Sequence, residues 1–137
     1  SLVPIEISFT LEVEKENIRK QVVKFNQGLA SHAGLCERLI SQVKKLETDE
    51  RELRAKMTAN LRAGNKDLAA QYALRLQTVT RELDENRLQL QQAEETYKNL
   101  LKARDVAITN AKLKIEGLRR GLDDLKIKIR ERLRKGK

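Results

Sequence analysis

His32 and Cys36 stand four residues apart, the spacing at which two side chains share one helical face and could grip a metal ion. Zinc needs a third and usually a fourth ligand, and the chain has no other His or Cys to supply it. Both residues also fall on an apolar seam, where Tyr97 is expected opposite His32 and could hydrogen-bond the imidazole. The pair therefore has a structural reading, and no metal or cofactor is expected. Carboxylates are plentiful, but among Lys and Arg at helical spacing they read as solvated ion pairs. No phosphate-cradling Gly-rich loop, G-x-S-x-G elbow or H-E-x-x-H helix occurs. Paired helices alone form no concave pocket, so no residue is assigned a catalytic role and an enzyme is not expected.

The chemistry that does stand out is charge. The chain carries a net +9, and residues 118–137 hold nine basic side chains against three acidic ones, a local +6. Only +3 is left for the other 117 residues. A localised basic end points to a polyanionic partner, an anionic membrane surface or nucleic acid. Arg119, Arg120, Lys126, Lys128, Arg130, Arg132 and Arg134 are the candidate anion-binding residues. The same stretch carries Leu118, Leu122, Leu125, Ile127, Ile129 and Leu133, more apolar surface than a groove-reading helix needs, and it lacks stacking aromatics. Those features weigh against nucleic acid.

What positions these groups follows from composition. Charged residues make up 36% of the chain and aromatics 3%, with one Pro and no Trp, too little bulk for a round core. Ala, Glu, Lys, Leu, Arg and Gln dominate, as in long helices and coiled coils. No apolar run is long enough to cross a bilayer. A single cysteine cannot form a disulfide within the chain and fits a reducing compartment. The chain starts without Met and is expected to be a piece of a longer protein.

From Ile18 the apolar positions step by four and three through Val22, Phe25, Leu29, His32, Cys36, Leu39, Val43, Leu46, Glu50, Leu53 and Met57. They resume at Tyr72, Leu76, Val79, Leu83, Asn86, Leu90, Ala93, Tyr97, Leu100, Arg104, Ala107 and Ala111. Each series is a heptad seam. The interval from Met57 to Tyr72 is one residue longer than two heptads, so the seam slips at Gly64-Asn65. Reflection about that pair sets Leu53 beside Leu76, Leu46 beside Leu83, Leu39 beside Leu90 and Leu29 beside Leu100. Positions a of one helix then meet positions d of the other, the requirement of an antiparallel coiled coil. Gly64 can take the left-handed conformation that ends a helix, and Asn65 can cap the next, with Asp67 in its first turn. The fold class expected is all-α, a long antiparallel two-helix hairpin with one arm at 15–63, a tip at 64–66 and a second arm at 67–134. Four layers are polar: Glu50 faces Val79, Asn86 faces Val43, His32 faces Tyr97 and Arg104 faces Phe25. Asn86 is expected to fix register.

Beyond Ala111 the seam shifts to Ile115, Leu118, Leu122, Leu125 and Ile129, an eleven-residue stutter. If the first helix starts near Glu12, residues past about Leu118 overhang without a partner in their own chain. That free stripe is the expected assembly surface, open to another subunit or a membrane. Residues 1–14 differ: Ile5, Ile7, Phe9, Leu11 and Val13 alternate with polar residues, a period of two, so this segment reads as strand-like or irregular. Pairing with a second copy, packing on a further domain and continuation of the helix all stay open for it.

At the tip, "LRAGNKDLAAQYAL", residues 61–74, resembles the hairpin-tip signature of the phage shock protein A family, also called the vesicle-inducing proteins of plastids. Gly64, Asp67, Leu68, Ala69, Ala73 and Leu74 match that signature, and Lys66 stands where Glu is usual. Residues 89–118 also resemble the family's second long helix, and the resemblance covers roughly residues 30–130. It implies a soluble helical hairpin related to ESCRT-III, polymerising into rings, rods or tubes on anionic membranes and protecting or reshaping them under stress. It also implies a bacterial or plastid setting, a location in the cytoplasm at the inner face of the cell membrane, and a regulatory protein partner. Relatives carry a basic amphipathic helix before the hairpin, and "SLVPIEISFTLEVE" departs from that pattern. The expected function is thus a self-assembling structural protein on anionic membranes, with itself and the lipid surface as partners and no small-molecule substrate. The alternatives are a passive coiled-coil scaffold or adaptor, and behind it a nucleic-acid-binding coiled coil.

Overall fold

The computed structural model describes residues 3–136 and consists of two helices, α1 (Val3–Arg62) and α2 (Lys66–Lys135), forming an all-α hairpin. Strong helix formers fill both. Pro4 lies in the first turn of α1, where a missing N–H costs no helical hydrogen bond.

The turn is a complete Schellman closure. Gly64 sits at φ +79°, the left-handed region. Its N–H donates to the Leu61 carbonyl at 3.2 Å, and the Asn65 N–H reaches the Asn60 carbonyl at 2.8 Å. The Asn65 carbonyl then accepts the first bond of α2, from Ala69 N–H at 2.9 Å. Asn65 is therefore the N-cap by backbone geometry, but its side chain serves the other helix: Nδ2 donates to Oδ1 of Asn60 at 3.2 Å. An amide pair takes the place of the apolar contact that usually closes this motif.

The described residues fall into two compact units, Ala30–Lys98 and residues 3–29 with 99–136. In the first, Leu39, Val43 and Leu53 of α1 are buried with Ala69, Leu76, Leu83 and Ala93 of α2. Leu83 is only 1% exposed, and truncation to Ala there should cost about 2–5 kcal/mol. Ala69 adds one layer to the seam at the tip, while Leu68 stays exposed. The ion pair Glu47–Arg87, 3.7 Å, crosses between helices beside the expected Leu46–Leu83 layer.

In the second unit, Leu11 and Leu29 are buried, and Lys114 Nζ donates to Glu14 Oε1 at 3.1 Å across the helices. Every position of both expected seams, in either unit, is buried or half-buried. The heptad reading of residues 18–111 is thus the observed packing.

Two expectations need correction. Residues 3–14 are helical, neither strand nor irregular; positions 1 and 2 lie outside the described residues. Alternation alone could not reveal this, because the partner that selects helix is α2, more than a hundred residues away. The free overhang is also shorter than expected. With α1 starting at Val3, its first turns reach Ile115, Leu118, Leu122, Leu125 and Ile129, all half-buried. Pro4, Ile5, Ser8 and Phe9 share an open cleft with Leu122 and Lys126, and Val3 shares another with Leu125 and Ile129. Among the described residues only 130–136, all exposed, run past the last half-buried position.

Candidate anion-binding and assembly surface

The basic end of α2 is built by exclusion. The seam takes Leu118, Leu122, Leu125 and Ile129, so the residues between must face out. Arg119, Arg120, Lys126, Lys128, Arg130, Arg132 and Arg134 are all exposed. Among the described residues, Arg120 is the one of the seven in an ion pair, with Glu116 at 3.4 Å, and both partners are well exposed. Such a pair contributes little and leaves the guanidinium available.

Direction matters as much as exposure. At about 100° per residue, Arg119, Lys126, Arg130 and Arg134 fall on one flank of α2, while Lys128 and Arg132 fall on the other side of the seam. Arg120 points away from both. A flat anionic surface can therefore meet one flank at a time. The first flank carries four of the seven and lies next to the exposed Leu133, with the exposed Asp123 on the same side, while Lys135 falls with Lys128 and Arg132.

The expected assembly stripe is not open. Ile115, Leu118, Leu122, Leu125 and Ile129 pack toward α1, which removes them as a ready-made docking face in this conformation. Open apolar side chains lie elsewhere, among them Ile5, Phe9 and Val23 of α1 and Val106, Leu113, Ile127 and Leu133 of α2. Sequence reasoning counted Ile127 and Leu133 among the apolar residues of the basic end but did not place Ile5 and Phe9 on an outer face, because residues 1–14 read as strand-like or irregular. Wound as a helix, that run splits, with Ile7 and Leu11 turning inward and Ile5 and Phe9 outward.

The tip residues Gly64, Asn65, Asp67 and Leu68 are exposed and form the connection described above. His32 and Cys36 are half-buried on the seam. Nδ1 of His32 is buried without a hydrogen-bond partner, and among the described residues no hydrogen bond links the imidazole to Tyr97. Asn86 donates to the Glu82 carbonyl of its own helix at 2.8 Å, so its hydrogen bond does not read the facing helix. Among the described residues no group of three or more His, Cys, Asp or Glu could hold a metal, and no helix is long and apolar enough to cross a membrane.

Fold and surface define a class: an all-α antiparallel hairpin whose second helix ends in an exposed, strongly basic segment. No protein-family model matches the chain, and no curated protein or solved structure is similar enough to be matched with it.

Proposed function

We propose that the chain is a non-enzymatic structural subunit that self-assembles and holds or remodels anionic membranes, in the manner of the phage shock protein A family that its tip resembles. The observation that carries this reading is the exposed basic flank Arg119, Lys126, Arg130 and Arg134 beside a covered apolar seam. A cation near an anionic bilayer contributes about 1 kcal/mol, so several together hold a subunit at the surface without deep insertion. Assembly multiplies the effect by presenting many such flanks at once.

The passive scaffold reading draws on the covered stripe, which leaves fewer free apolar groups than the sequence suggests. Liposome sedimentation separates the two. Membrane function requires binding to anionic vesicles that fades as salt rises toward a few hundred millimolar, because charges are screened over about 8 Å at physiological ionic strength. Equal binding to neutral vesicles, or tighter binding to duplex DNA at matched salt, would overturn it.

A further inference from the structure

The outward-facing residues of the two helices form rows that match each other. Phe9, Glu16 and Val23 lie seven apart on the outer face of α1, and residues at that spacing nearly eclipse on a helix, drifting about 20° per step. Phe9 is 70% and Val23 53% exposed, with Glu16 exposed between them. In the same compact unit α2 carries Leu113, Arg120 and Ile127 at the same spacing, with Leu113 59% and Ile127 52% exposed. Each row reads apolar, charged, apolar, and the central charges are opposite. Both rows face away from the seam that joins their helices, so one chain cannot bring them together.

We propose that a second copy of this chain does so, the outer row of α1 in one copy packing on the outer row of α2 in the next, with Glu16 opposite Arg120. In copies pointing the same way these helices run antiparallel, so Phe9 meets Ile127 and Val23 meets Leu113. Each copy offers one half of the contact on each side, which makes the contact heterologous and able to repeat without closing. Glu16 is now bound by Arg19 at 2.8 Å and Arg120 by Glu116 at 3.4 Å. Both are exposed pairs within one helix that contribute little and can exchange partners. The contact rests on the self-assembly proposed above and supplies the surface that the covered stripe does not.

Sedimentation velocity without lipid tests it on the whole chain, with Glu16→Arg, Arg120→Glu, the double exchange, and an equimolar mixture of the two single variants. The unaltered chain should form large assemblies and each single variant should lose them, with helicity by circular dichroism unchanged. The double exchange should recover them. So should the mixture, because the altered rows meet with charges exchanged while the unaltered rows meet as before. Single variants that assemble like the unaltered chain, or a mixture that fails to recover, overturn this surface and leave self-assembly standing. An unaltered chain that stays monomeric also overturns it, and vesicle binding measured separately decides whether the membrane reading falls as well.

Discussion

The Arg104 guanidinium donates from Nη1 to Oδ1 of Asn26 at 3.2 Å, joining residues 78 apart in sequence across the two helices. The sequence pattern places Arg104 in a seam layer opposite Phe25, where a charge would be expensive if sealed in. The side chain runs along the seam and its Nη1 finds a neighbouring amide, while Nε stays buried without a hydrogen-bond partner. A polar layer is thus accommodated without breaking the register on either side.

That register predicts proximity inside the tip unit. With Cys36 replaced by Ser, spin labels at Leu39 and Leu90 should report a short distance within single chains, diluted with unlabelled protein. A distribution centred tens of ångströms away would mean that the helices do not pair by reflection about Gly64-Asn65.

The turn makes a second prediction. Gly64 is at φ +79° with open space where a Cβ would sit, so a side chain there meets backbone strain rather than a clash. Gly64→Ala should lower stability by about 1–2 kcal/mol in chemical denaturation. Gly64→Asn should lose less, because Asn tolerates the left-handed region. Equal losses for both would argue against strain as the cause.

A third prediction concerns the start of α1. Since Ile7 and Leu11 turn inward and Val3 and Pro4 line clefts with Leu122, Leu125 and Ile129, deleting residues 1–14 should uncover the α2 stripe. The truncated chain should bind more of an apolar-surface dye than the full chain and aggregate more readily, while α2 stays helical. Unchanged dye binding would show that these turns do not cover the stripe.

How far the sequence could be read depends on where each signal resides. The seam was legible because Leu, Val and Ala at steps of three and four encode a face locally, and the turn was legible because Gly64 and Asn65 have few other uses. Phe9 and Leu11 were misread because a short alternating run fits either a strand or a helix with apolar residues on two sides. Only the distant packing of Leu11 and Ile7 against α2 decides between them. The basic residues were legible as a group, but their separation into flanks required the seam's actual course past Ala111. The assembly stripe failed as a free surface for one reason, the added turns of α1.

The flanks give the last prediction. Arg119, Lys126, Arg130 and Arg134 share one side of α2, and Lys128 and Arg132 share the other. A bilayer is flat on the scale of one helix, so cations on opposite flanks cannot both lie at its surface. At about 1 kcal/mol per cation, Arg130→Gln should weaken partitioning onto anionic vesicles about fivefold. Replacing all four flank residues with Gln should abolish measurable binding, whereas the Lys128→Gln, Arg132→Gln pair should change it little. All these losses should shrink as salt rises, since the attraction they remove is itself screened. Vesicle co-sedimentation across a salt series measures each of them. Equal effects per charge from both flanks would mean that the basic end acts as a diffuse cloud rather than through an oriented face, and the assignment of the four-residue flank would be wrong.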